Sequence, residues 1–199
     1  MNSSFSAELA QAAARLVVEE GMEYGAAKRK AARVLGKHSV RPAELPGNDL
    51  VEEEVRAYLE LFHADTQPFE LAALRKVAAL WMKQLEEFRP HLTGAVWRGT
   101  ATRLNNVHLN LYCDDSKQTE ITLIGRNIDY DVATTTGPRN RQVDMLVVSS
   151  PSPELKENVT VLLTILDHDD LRGALKPDSR GMTERGALPA LLKLMEAAA

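Results

Sequence analysis

An α+β fold, with a helical N-terminal half packed on a mixed β-sheet core, is what this sequence predicts. Three observations carry it. Apolar residues recur every three or four positions through the first 90 residues, they alternate with polar ones beyond residue 90, and β-branched residues cluster only in that second part. With 199 residues, 44% hydrophobic and 26% charged, the chain can build one substantial core or two small ones.

Leu9, Ala13, Leu16 and Val17 form a first apolar stripe, and Tyr24, Ala27, Ala31, Val34 and Leu35 a second, so two helices are expected with a break near Gly21. The Pro- and Gly-bearing stretch 41–49 reads as a connector. Val51, Val55, Tyr58, Leu59 and Phe62 then mark a third helix, with Asn48 or Asp49 as its N-cap. A longer fourth helix starts near Pro68, carries Leu71, Leu74, Ala78, Trp81, Leu85 and Phe88, and is stopped by Pro90.

From there the period becomes two. Val107, Leu109 and Leu111 alternate with His108, Asn110 and Tyr112 in a half-buried strand, and Val143, Met145 and Val147 alternate around Asp144. Residues 159–166 form a third strand and 130–134 a shorter fourth. Segment 116–126 has both a capping Asp114 or Asp115 and strand-prone Ile121 to Ile124, and helix is the expectation adopted. Stretches 134–141 and 149–158 read as turn-rich connectors, and the loop 173–186 precedes a C-terminal helix over 188–195. The division expected is a helical region 1–66 and an α+β domain 67–199.

Charge and composition narrow the function classes. A formal charge of -4 excludes a uniformly basic coat for nucleic acid or membrane, so a polyanion has to be met by a local patch. The single Cys113 rules out a disulfide framework and a Cys-based zinc cluster and suits a reducing compartment. No run of about 18 apolar residues and no export signal is read, so no membrane partner and a cytoplasmic location are expected. The histidines show no paired ligand spacing for zinc.

One local patch stands out. Between Tyr24 and Ala43 there is no acidic residue, while Lys28, Arg29, Lys30, Arg33, Lys37 and Arg41 supply six cations. Arg29, Arg33 and Lys37 recur every fourth residue on one helical face, suited to the phosphates of RNA, DNA or a nucleotide. The alternative partner is intramolecular, the segment 44–70 whose eight carboxylates face only Arg56.

The chemistry-bearing stretch runs from Leu92 to Tyr112. Gly94-Ala95 is followed by ten residues and then by Asn106-Val107-His108-Leu109, with Asp144 on a later strand. This arrangement resembles the signature of the nucleotidyltransferase superfamily, the DNA polymerase β-like fold: a small-residue turn, a spacer, an Asp-apolar-Asp strand and a third carboxylate. Residues 26–33, 88–94 and 114–117 extend the resemblance to a group of proteobacterial proteins of about this length. Some of them carry the label UDP-N-acetylmuramate–alanine ligase, which the lack of a Gly-x-x-Gly-Lys-Thr loop here argues against.

In such a site, carboxylates at i and i+2 of a strand share a face and hold divalent cations that bridge a nucleoside triphosphate. The resemblance therefore implies Asn106, His108 and Asp144 as the motif positions in one cleft, Gly94 and Ala95 as the nucleotide-binding turn, and Asp144 as the remaining ligand for Mg or Mn. Asn106 and His108 replace two carboxylates that a hard cation needs, and Ala95 lacks a hydroxyl, so the site reads as eroded. The function expected is a nucleotide or nucleic-acid binding or regulatory pseudo-enzyme. An active metal-dependent transferase is the alternative, and a structural or interaction protein with a protein partner is the third reading.

Overall fold

Nineteen residues from Asn2 to Glu20 form the first helix, α1, whose Leu9, Ala10, Ala13, Ala14, Val17 and Val18 are all buried. The computed structural model describes residues 2–37, 41, 44–113, 115–172, 175–178 and 180–198. Gly21 ends α1 with φ of +65°, a left-handed backbone that other residues adopt only under strain, and the Leu104 carbonyl closes against its α-carbon. Helix α2 (Tyr24–Val34) then packs Ala27, Ala31 and Ala32 inward, and α3 (Asn48–Phe62) adds Val51, Val55 and Leu59. Alanine on two of the three helices lets their backbones approach closely, which favours dispersion contacts over bulk. Gly47 occupies the α3 N-cap, so Asn48 is the first helical residue rather than the cap.

The chain divides into two units: Met1–Glu70 with Thr100–Asn105, and Leu71–Gly99 with Asn106–Ala199. In the first, Gln67 donates to the Ala101 carbonyl at 3.0 Å and the Arg103 amide to Glu70 at 3.0 Å, which binds segment 100–105 to the helices.

The second unit holds a six-stranded mixed sheet ordered β3-β4-β5-β2-β1-β6. The strands are β1 (His91–Thr93), β2 (Val107–Tyr112), β3 (Tyr130–Thr136), β4 (Gln142–Ser152), β5 (Glu157–Leu166) and β6 (Arg185–Ala187). Only β2 and β5 run parallel; every other pair is antiparallel. One face is apolar and sealed, with Val107, Leu109, Leu111, Leu146, Val148, Val161 and Leu163 buried. The opposite, outer face carries His108, Asn110, Met145, Val147, Leu162 and Thr164, all half-buried. The alternation predicted for β2 is therefore the alternation observed.

Around the sheet lie α4 (Gln67–Gln84), α5 (Gly94–Arg98), α6 (Ser116–Gly125) and α7 (Leu188–Ala197). Segment 116–125 is helical, as expected, and the Asp115 carboxylate caps it by accepting from the Lys117 amide at 2.9 Å; Asp114 lies outside the described residues. The expected connector 149–158 is instead strand on both sides: β4 runs on to Ser152, and β5 starts at Glu157. Pro151 is accommodated at the hairpin end opposite Asn158, where a missing amide costs little. No helix among the described residues is long and apolar enough to cross a membrane.

Two tethers hold α5 in place. Arg75 of α4, only 7% exposed, donates to the Val96 and Trp97 carbonyls at 3.2 and 3.3 Å, which satisfies the end of α5 where the helix dipole is negative. The Trp97 ring lies flush on Gly186 of β6 and donates to the Thr183 carbonyl at 2.6 Å.

A methyl group at Gly186 would sit 2.0 Å from the Trp97 ring, inside any tolerable contact. Gly186→Ala should therefore lower the unfolding free energy by about 1–3 kcal/mol in urea denaturation. The penalty should shrink in a Trp97→Phe background, because the ring atoms that clash are then absent; an equal penalty in both would show that the contact is not the cause.

Candidate functional site

His108 sits in the middle of the sheet, paired with Thr93 of β1 on one side and Leu162 of β5 on the other. Its ring faces Gly94, where an added Cβ would lie 3.7 Å from Cδ2, so the turn that opens α5 and the His108 side chain are neighbours. Ala95 follows within α5 and is half-buried. Asn106 is exposed and precedes β2 rather than belonging to it.

Asp144 is elsewhere. Leu162 pairs with Val147 and Leu163 with Leu146, so His108, Leu162 and Val147 share the outer face while Leu109, Leu163 and Leu146 share the inner one. Asp144 lies two residues from Leu146 and opposite Thr134 of β3, which puts it on the inner side. The single cleft expected for Asn106, His108 and Asp144 is thus corrected: His108 and Asp144 project from opposite faces with β5 between their strands. Asp144 acts electrostatically on Lys117, whose ion-pair partner is Glu120 at 2.7 Å. Among the described residues no three His, Cys, Asp or Glu side chains gather where a metal ion could be held. The residues present do not fit the Mg or Mn site that the motif implies.

The basic face fares differently. Arg29, Arg33 and Lys37 are all exposed on and just beyond α2. Their neighbours in the run are engaged: Lys28 donates to the Pro46 carbonyl and to Asn48, Lys30 pairs with Glu20 at 2.5 Å, and Arg41 with Glu44 at 2.7 Å. Lys37 lies over the Phe5 ring, 5.3 Å from its centre. Neither Arg29 nor Arg33 forms an ion pair among the described residues, so the acidic segment 44–70 does not neutralise that face.

Residues that the sequence did not single out as a site gather at the other end of the outer sheet face. His91 of β1 stands edge-on to Tyr112 of β2, ring centres 5.4 Å apart, and the Arg185 guanidinium of β6 lies over the same ring at 5.4 Å. The His91 Nδ1–H donates to the Arg89 carbonyl at 2.9 Å, which leaves Nε2 as the lone-pair nitrogen. Burial, and then the nearby Arg185 charge, hold the His91 pKa below its ordinary value. Tyr112 is pushed up by burial. Leu171, from the 3-10 turn 168–171, packs against Tyr112, Val143 and Leu166 at this end. Period-two patterning was the available signal for Tyr112, whereas His91 and Arg185 lie in three-residue strands too short to show a period.

The loop before β6 is fastened by Asp178. Its carboxylate accepts from Arg98 at 2.6 Å and from the Arg180 and Met182 amides at 2.9 and 3.0 Å. The Arg98 hydrogen bond first, and the amides with it, lower its pKa from 3.8 to about 2. No family model, curated protein or solved structure matches this chain.

A carboxyl depressed in the folded state stabilises the fold above its unfolded pKa and ceases to do so as pH falls through the folded one. Asp178→Asn should be less stable than the unmodified chain at neutral pH, and the gap should close between pH about 3.8 and about 2. Urea titrations across that range read it directly; a gap independent of pH would mean that the carboxylate charge is not what fastens the loop.

Proposed function

We propose that this chain is a binding or regulatory protein that engages nucleic-acid phosphates through α2, without metal-dependent nucleotidyl transfer of its own. The observation that carries the reading is the state of the basic run: Lys28, Lys30 and Arg41 are engaged within the first unit, whereas Arg29 and Arg33 are exposed and, among the described residues, pair with no carboxylate. Arg29 and Arg33 stand one turn apart on α2, about 6 Å along its axis, and Lys37 follows just past the left-handed Gly36 that ends the helix. Cations about 6 Å apart match the spacing of successive phosphates along a strand better than the compact phosphate cluster of a mononucleotide.

The resemblance to nucleotidyltransferases enters this reading as scaffold only. Two-metal displacement needs carboxylates that converge on the same cations, and the placement of His108 and Asp144 on opposite sheet faces counts against both the active transferase and an eroded remnant of its metal cage. Binding needs no such convergence. Electrostatic attraction acts through any exposed row of cations, and its signature is salt dependence.

Fluorescence anisotropy with a single-stranded RNA and a duplex DNA, each titrated at several salt concentrations, tests this. Three phosphate contacts predict a log–log slope of about -2.1 for the single strand and about -2.7 for the duplex. Replacing Arg29, Arg33 and Lys37 by Glu should abolish binding while leaving the far-UV circular dichroism unchanged. If the unmodified chain binds neither probe below about 100 mM salt, where screening is partial, the reading fails.

A further inference from the structure

We propose that Arg185, Tyr112, His91 and Asn110 form a receptor on the outer sheet face for the oxyanion of a small ligand, a carboxylate or a phosphate monoester group. The site lies wholly in the second unit and is independent of the α2 reading.

The argument starts from the guanidinium. The Arg185 Nε is sealed from solvent and has no hydrogen-bond partner, and one terminal nitrogen reaches the Leu171 carbonyl only at 3.5 Å. Among the described residues no carboxylate forms an ion pair with it. A cation drawn out of water without a counter-ion is costly, and the cost is removed when an anion arrives. The contrast with Arg75 is instructive, because that more deeply buried guanidinium is satisfied by two carbonyls, whereas the Arg185 Nε has no acceptor.

The surroundings supply the rest of a binding site. Tyr112 is fully buried beneath the Arg185 cation, and its hydroxyl makes no hydrogen bond of good geometry, with the Asn110 side chain the polar group beside it. His91 pairs with Asn110 across β1 and β2 and with Ala187 of β6, and its Nδ1–H bond to the Arg89 carbonyl fixes the ring so that Nε2 can accept from a ligand hydroxyl. Arg185 pairs with Thr93. All of these residues alternate onto one face: residues 91 and 93 of β1, 110 and 112 of β2, and 185 of β6. The competing anion is Asp170, which acts on Tyr112, but its side chain is 3% exposed and already held by Arg141 at 2.7 Å and Arg139 at 3.8 Å. A guanidinium fork with an unused Nε–H, a phenol and an amide together make a donor set for two or three oxygens of one oxyanion.

The test uses the full chain, with sodium phosphate and sodium acetate as probes and sodium chloride holding ionic strength constant. Binding of either probe should raise the melting temperature, by about 3 °C at ten times its dissociation constant, and should shift the Arg185 Nε–H resonance in a nitrogen–proton spectrum. A response to phosphate alone assigns a phosphate monoester, and a response to acetate alone assigns a carboxylate. Arg185→Met should keep the fold, melt no lower than the unmodified chain in chloride, and lose both responses. Tyr112→Phe, which removes only the hydroxyl, should weaken the response several-fold. Two results would overturn the proposal: no response to either probe with the Arg185 resonance unmoved, or an Arg185→Met variant that melts lower in chloride while the unmodified chain ignores both probes, since the guanidinium would then be a structural brace.

Discussion

The register of three neighbouring strands governs what the second unit can do. Once His108 is paired with Leu162 and Leu162 with Val147, every side chain of β2, β5 and β4 is committed to one face or the other, because a strand alternates with a period of two. The choice is set by burial. Leu109, Leu111, Leu146, Val148, Val161 and Leu163 are all withdrawn from water together, and a slip of one residue would expose that entire set. Asp144 is carried to the inner side by the same requirement that buries Leu146. The polar residues of β1, β2 and β6 are carried to the outer side by the requirement that buries Leu92 and Leu109.

Electrostatics then differentiates positions that look alike in sequence. Arg75 and Arg185 both lie largely out of water without a carboxylate partner, yet their situations differ in one respect. Arg75 meets the two terminal carbonyls of α5, whose partial negative charge serves as a distributed counter-ion, although burial still lowers its pKa. Arg185 meets an aromatic face and one distant carbonyl, and the ring quadrupole offsets only part of the desolvation. Asp178 shows the opposite regime, in which Arg98 and two amides satisfy the carboxylate so fully that it serves as a fastener.

The sequence made much of this legible, and the parts it hid have physical reasons. Helices α1 to α4 and strands β2 and β5 carry enough residues for a period to show, and the helix at 116–125 was recoverable because Asp115 offers a cap that a strand would not use. Strands β1 and β6 have three residues each and α5 has five, too few for any periodicity. The length of β4 was masked by Pro151, since a proline at a hairpin end reads like one in a loop. For the site, the spacing between Gly94 and His108 was visible and the two are neighbours in space. The relation of either to Asp144 was not visible, because it depends on how β5 inserts between β2 and β4, and strand order is not a local property of the chain. Arg185 left no trace at all: its importance comes from what fails to surround it.

A net charge of -4 sets a condition on the proposed binding of a polyanion, and distance is what meets it. At physiological ionic strength the Debye length is about 8 Å, so a polyanion proposed to lie along α2 responds chiefly to the charges nearest it, among them the cations spaced about 6 Å apart on that helix. Local pairing matters more than the total. Lys30 and Arg41 have spent their charge on Glu20 and Glu44, so their presence in the run contributes little to the outward field. Arg29 and Arg33 have not, and a guanidinium loses less hydration than an ammonium on meeting a phosphate. On the proposed reading, the potential along α2 is set by the few cations that pair with no carboxylate among the described residues, so the pairing pattern counts for more than the total of six basic residues.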